Sequence, residues 1–99
     1  MTETRQDDCA GRLKVLADPT RLQVMRVLLA GPQHVGDINQ SVSVEQSLLS
    51  HHLRILREAG LVEAERDGKA VLYRLAPEVR SRSRGPSINL GCCRISFDQ

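Results

Sequence analysis

Residues 43–75 read SVEQSLLSHHLRILREAGLVEAERDGKAVLYRL, and two different periods follow one another in that stretch. The apolar residues Leu48, Leu49, Leu53, Ile55 and Leu56 fall at helical spacing, and Leu49, Leu53 and Leu56 share one face. Ser47, Ser50, His51 and Arg54 are left toward the other side. Ser43, followed three residues later by Gln46, predicts a capping box that opens this helix, and Gly60 predicts its stop. After Gly60 the period becomes two. Leu61-Val62 begins a strand ending near Arg66, and Asp67-Gly68 is a two-residue hairpin signal. Val71, Tyr73 and Leu75 alternate with Leu72 and Arg74 on the return strand, which Pro77 ends.

Upstream, Ala10, Leu13, Leu16 and Ala17 recur at helical spacing. Asp18-Pro19 places a capping carboxylate before a proline at the first helical position. The helix that follows carries Leu22, Val24, Met25, Val27, Leu28 and Leu29, is apolar around most of its girth, and stops at Gly31-Pro32. A short helix is expected over residues 35–40. The order is four helices and then a hairpin: a mainly α chain, with two helices joined by a short turn and a β-hairpin after them. That is a winged helix-turn-helix, here expected to be homodimeric. Residues 1–8 read as a disordered tail and 9–79 as the winged-helix domain. Residues 80–86, with Arg80, Arg82 and Arg84 among serines, read as a linker, and 87–99 as a cysteine-containing tail. In that tail Ile88, Leu90 and Cys92 alternate on one phase, and Cys93, Ile95 and Phe97 on the other. Two short strands that switch face between Cys92 and Cys93 are therefore expected, and Gly85, Pro86, Asn89 and Gly91 oppose a fifth helix there.

Composition narrows the classes. Ninety-nine residues make one small domain, for which dimerisation is a way to complete the core. Aromatic residues are 2% of the chain, Tyr73 and Phe97, too few for stacking platforms on single-stranded nucleic acid. A net charge of +2 permits double-stranded DNA as a partner without requiring it. No apolar run approaches the roughly 20 residues that cross a bilayer, and the polar start of the chain carries no secretory signal. The expected location is cytoplasmic, with no membrane partner. Three cysteines are an odd count that does not read as a disulfide framework in a reducing compartment.

Three ordered motifs carry a family resemblance. Residues 16–22 (LADPTRL), residues 50–62 (SHHLRILREAGLV), and Arg66-Asp67-Gly68-Lys69 with Tyr73-Arg74-Leu75 resemble the ArsR/SmtB family of bacterial repressors over roughly residues 10–76. The resemblance implies a homodimeric winged helix, of the arsenical-resistance repressor kind, that represses an operon until an inducer binds. Metal or metalloid ions are frequent inducers in the family. Two departures matter. Where many members carry a Cys-x-Cys metal site at the start of the third helix, this chain has His34 and Gly36. Where others carry zinc ligands on a C-terminal helix, it has the short cysteine tail. The inducer therefore has to be argued from Cys9, Cys92 and Cys93.

A helix in the major groove needs short polar side chains for base edges and donors for phosphates. Gln46, Ser47, Ser50 and His51 are placed for bases, Arg54 and Arg57 for phosphates, and Arg66 and Lys69 for the backbone or minor groove beside the wing tip. The bland alternative is a solvated helix face. His51 and His52 are neighbours on a helix and face apart, so they read as DNA contact plus packing rather than a chelate. A dimer would read an inverted repeat with half-sites about 34–36 Å apart.

Adjacent cysteines make a poor disulfide with each other but share a soft ion well. As(III) and Sb(III) take three sulfur ligands, and Cys9, Cys92 and Cys93 are three, within one chain or across two. Asp7 and Asp8 beside Cys9 oppose its reactivity. Packing of Cys92 and Cys93 as small apolar residues is the alternative. Other soft metals (Cd, Pb, Zn) or a thiol-redox or sulfide signal remain open as inducers, although zinc wants a fourth ligand, for which His34 is the candidate. No organic cofactor is expected. A metal-carrying thiol protein would bind metal without sequence-specific DNA affinity. A redox enzyme lacks support: there is no Cys-x-x-Cys, Gly-rich phosphate loop or catalytic triad context, and no catalytic residue is assigned.

Overall fold

A computed structural model describes the backbone of residues 2–97 and the side chains of residues 9–97, and the contacts below are those of the described side chains. The first helix, α1, spans Thr2–Leu16, so residues 2–8 are helical although a disordered tail is expected over residues 1–8. Asp18 caps α2, Pro19–Leu29, its carboxylate accepting the backbone N–H groups of Thr20 at 2.8 Å and Arg21 at 3.0 Å. Gln33–His34 forms a two-residue strand, β1, too short to show a period in sequence. The helices α3, Val35–Ser41, and α4, Gln46–Glu58, follow, and then strands β2, Val62–Asp67, and β3, Ala70–Leu75. The three strands lie in the order β1-β3-β2, all antiparallel, with Val62 opposite Leu75 and Asp67 opposite Ala70.

Local chemistry corrects two boundaries. Glu45, not Ser43, is the N-cap of α4, and no side chain bonds the helix start. The Asn39 amide donates to the carbonyls of Val42 at 3.2 Å and Val44 at 2.8 Å, which holds the turn between α3 and α4 open until Glu45. The wing turn is Gly68-Lys69 rather than Asp67-Gly68, because Asp67 still pairs with Ala70. Gly68 alone takes a positive φ (66°), as a turn with glycine at its first central position requires. At the far end of α4, Gly60 (φ 76°) donates to Arg57 and Leu61 to Leu56, a Schellman stop.

Val24, Met25, Ile38, Leu49, Leu53, Leu56 and Leu61 are fully buried and form the centre of the core. The C-terminal residues join it. Helix α5 spans Pro77–Arg82, so the Arg80 and Arg82 positions read as linker are helical, with proline again at a helix start. The Ser83 hydroxyl donates to the Val79 carbonyl at 2.6 Å and accepts the Asn89 N–H at 3.1 Å, closing the end of α5 against the next strand. Strands β4, Ser87–Asn89, and β5, Arg94–Ser96, form a separate antiparallel hairpin, matching the two expected strands and their change of face. β4 packs on α2 and α5, and its Ile88 and the following Leu90 are buried with the main core, so the tail is part of the fold. Among the described residues no helix is long and apolar enough to cross a membrane.

Candidate functional site

One face of α4 is closed and the other open. Leu49, His52, Leu53 and Leu56 are buried, while Gln46, Ser47, Ser50, His51, Arg54 and Arg57 are all exposed. The period of the apolar residues is what turns these polar side chains outward together. Two of them are engaged on the surface: the Ser47 hydroxyl donates to Glu45 at 3.0 Å, and Arg54 pairs with Glu58 at 3.4 Å. Leu48 departs from the apolar set and is 45% exposed on the same helix.

The wing supplies Arg66 and Lys69, both exposed at its tip. Among the described residues neither forms an ion pair, nor does Arg57. The acids of the wing are engaged elsewhere. Arg74 bridges Glu65 at 2.8 Å and Glu63 at 3.1 Å, and the hydrogen bonds to Glu65 and then Glu63 raise its guanidinium pKa above its ordinary value. His34 Nε2 lies 2.9 Å from the Asp67 carboxylate, which ties β1 to the end of β2. His34 is therefore a wing residue and not a member of the sulfur cluster described below.

A buried polar link behind α4 escaped the sequence. His52, 7% exposed, accepts at Nδ1 from the Arg21 guanidinium at 3.0 Å. Arginine can only donate, so the neutral ring carries its proton on Nε2. The same guanidinium donates through Nε to the Val15 carbonyl at the end of α1. The Arg21 N–H is also the first cause of the lowered Asp18 pKa, with the Arg21 charge a further one. Helical geometry alone sets His51 and His52 facing apart, but nothing in their spacing points to Arg21.

The three cysteines meet within one chain. Cys9 on α1 is joined by a disulfide to Cys92, in the turn between β4 and β5, with Cα atoms 6.1 Å apart. Three free thiols are the expectation from sequence; only Cys93 is a thiol here. Its sulfur lies 3.9 Å from Cys9 Sγ, and the three sulfurs fall within 4.8 Å of one another. The face switch in the hairpin explains the difference between the neighbours: Cys92 is exposed, and Cys93 is half-buried against the core. Arg12 donates from Nη1 to the Leu90 carbonyl at 3.0 Å and pins the same turn to α1. A cleft of about 760 Å³ opens beside the disulfide, lined by Cys9, Arg12, Glu78, Arg82, Asn89, Leu90, Gly91 and Cys92. Gly91 takes a positive φ (93°), which favours glycine, and the Arg82 guanidinium lies directly against it.

Residues 18–64 match the model of a family described as bacterial regulatory protein, arsR family. The chain is 42% identical over 66 residues to the HTH-type transcriptional regulator NmtR of Mycobacterium tuberculosis, covering 67% of this chain and 55% of that protein. It is 39% identical over 80 residues to the biofilm growth-associated repressor of Agrobacterium fabrum, covering 81% and 68%. The chain thus spans little more than half of the first relative and about two thirds of the second. Its fold is similar to the solution structure of the homodimeric winged helix-turn-helix DNA-binding domain of Mb0332 from Mycobacterium bovis, with a TM-score of 0.74 and 33% identity, covering 82% of this chain and 75% of that one.

Proposed function

The chain belongs to the ArsR family of bacterial regulatory proteins, and from that premise we propose that it is a sequence-specific DNA-binding repressor whose operator affinity is set by its cysteines. The observation that carries the DNA half is the open polar face of α4 beside two wing cations that form no ion pair among the described residues. Gln46, Ser47, Ser50 and His51 read base edges, Arg54 and Arg57 meet phosphates, and Arg66 and Lys69 hold the flanking backbone. The protein acts in the cytoplasm as a homodimer on an inverted repeat. Leu13 of α1, apolar and 42% exposed, is surface for a second copy to cover.

The inducer acts at Cys9, Cys92 and Cys93. Once the disulfide is reduced, three sulfur donors within 4.8 Å suit As(III) or Sb(III), which take three thiolates. Among the described residues no His, Asp or Glu joins this cluster as the fourth ligand that zinc prefers. The disulfide itself supports a second reading, in which oxidation of Cys9 and Cys92 is the signal, since intracellular disulfides are commonly transient and sensing.

Operator affinity measured by fluorescence anisotropy tests both. The reduced protein is titrated with As(III), Sb(III), Cd(II) and Zn(II), and the disulfide form is measured alongside. Release by As(III) or Sb(III) that is lost in Cys92→Ser/Cys93→Ser supports the metalloid inducer. A change of affinity between the reduced and disulfide forms alone supports the redox signal. Binding indifferent to every ion and to redox state rejects both, and absence of operator binding rejects the repressor.

A further inference from the structure

We propose that the three cysteines form a thiol–disulfide exchange relay, in which Cys93 displaces Cys92 from Cys9 and presents Cys92 as a nucleophile for small anionic thiol-reactive ligands in the Arg12–Arg82 cleft. The Cys93 sulfur lies 3.9 Å from Cys9 Sγ but beside the disulfide, since all three sulfurs fall within 4.8 Å of one another. A side-chain rotation that brings it in line with the Cys9–Cys92 bond lets the Cys93 thiolate attack Cys9 Sγ. The Cys9–Cys92 bond breaks as the Cys9–Cys93 bond forms, and the electron pair leaves on Cys92 sulfur. The proton lost by Cys93 goes to water or returns to Cys92. No oxidant is consumed, because one disulfide replaces another. The alternative attack, on Cys92, would join neighbouring residues whose Cα atoms are about 3.8 Å apart, closer than a disulfide accepts. Exchange is therefore directed to Cys9.

The product differs from the starting state in where the thiol sits. Cys93 is half-buried against the core; Cys92 is exposed at the mouth of the cleft. That cleft carries two guanidinium groups, Arg12 and Arg82, against one acid, Glu78. Among the side chains of residues 9–97 neither arginine is in an ion pair, and Arg82 lies directly against Gly91, next to Cys92. Two cations stabilise a leaving thiolate and draw in a negatively charged reagent. The ligand class is a small electrophile or disulfide bearing a carboxylate or phosphate. This deepens the reading of the cysteines as the responsive site, but its test follows sulfur chemistry alone, so failure of exchange and failure of the DNA response are separate results.

The test alkylates the dilute, disulfide-containing protein without reductant, in parallel with iodoacetamide and iodoacetate, and maps the label by peptide mass spectrometry. Label is expected on Cys92 as well as Cys93, with Cys9–Cys93 as the complementary disulfide. It should vanish from Cys92 in Cys93→Ser and in Cys93→Ala, each checked for its helical circular dichroism. Iodoacetate, relative to iodoacetamide, should favour Cys92 over Cys93 severalfold, and Arg82→Gln should remove that preference. Label confined to Cys93, label on Cys92 that survives loss of Cys93, or equal charge preference at both cysteines overturns the proposal.

Discussion

Breaking the link between α1 and the C-terminal hairpin is expected to cost the chain about 4–5 kcal/mol of stability in the chain-entropy model of a cross-link. The figure follows from the 83-residue separation of Cys9 and Cys92, which makes the disulfide close nearly the whole chain into a loop. The native packing at the site does not rest on the bond alone, because Ile88 and Leu90 are buried in the core and Arg12 donates to the Leu90 carbonyl. The loss therefore falls on the unfolded state, which gains freedom. The variant to use is Cys9→Ser, since Cys93 could otherwise re-form a loop of almost the same size with Cys9. The chain has no tryptophan and one tyrosine, so unfolding in urea is best followed by far-ultraviolet circular dichroism. With a urea dependence of about 1.5 kcal/mol per molar, Cys9→Ser should lower the midpoint by about 3 M relative to the disulfide form. It should match the wild type kept in reductant. Midpoints of Cys9→Ser and the disulfide form that agree to within about 0.5 M, less than about 1 kcal/mol, would refute the reasoning.

Asp18→Ala should destabilise the chain by about 1 kcal/mol through loss of the α2 cap, measured by the same unfolding curves. The Asp18 pKa is held below its ordinary 3.8, first by the Arg21 N–H. Its contribution is therefore complete above pH 3.8 and is lost as pH falls through the lowered folded value, so the acid limb of stability should be shallower in the variant. On DNA, Lys69→Ala or Arg66→Ala should weaken binding to every sequence alike. The salt slope should fall by about 0.9 for each phosphate no longer neutralised, twice that in a dimer. Gln46→Ala should instead relax discrimination at one base pair of each half-site by about 1–3 kcal/mol and leave the slope unchanged, as selection over randomised operators would show.

Features that a short window encodes were legible. Asp18-Pro19 specifies both the cap and the first turn of α2, and the buried set Leu49, Leu53 and Leu56 fixes which face of α4 is open. The alternation from Ile88 to Phe97 marks both strands of the small hairpin. Features settled by partners far along the chain were not legible. Ser43 and Gln46 have the letters of a capping box, yet the helix opens at Glu45 without one, after a turn whose Val42 and Val44 carbonyls are held by the Asn39 amide. β1 is two residues long and exists because β3 offers it an edge. For α5 a signal is present and outweighed: Pro77 and Glu78 make a helix start, but the arginines and serines after them have the composition of a linker. The cysteine count excludes a framework of disulfides, which is a weaker statement than excluding one. Only the fold brings Cys9 and Cys92, 83 residues apart in sequence, to the same place.

Arg21 is where the two halves of the proposed function meet, and this gives a prediction about coupling rather than stability. Its guanidinium bonds the Val15 carbonyl at the end of the helix that carries Cys9, and its Nη1 bonds the buried His52 of α4 at 3.0 Å. Closing or opening the disulfide changes how α1 is held at its other end. Arg21 bonds both α1 and the helix proposed to read DNA, and the prediction is that the change travels through it. The measurement is the ratio of operator affinities of the reduced and disulfide forms, in the wild type and in Arg21→Lys, which keeps the charge but cannot span both acceptors with one rigid fork. A working redox repressor needs a ratio of about 5–150, a coupling of about 1–3 kcal/mol. Arg21→Lys should bind the operator in both states with a ratio falling toward one. A variant that folds, binds and keeps the wild-type ratio would show that the signal travels by another path, with the packing of β4 on α2 the next to be tested.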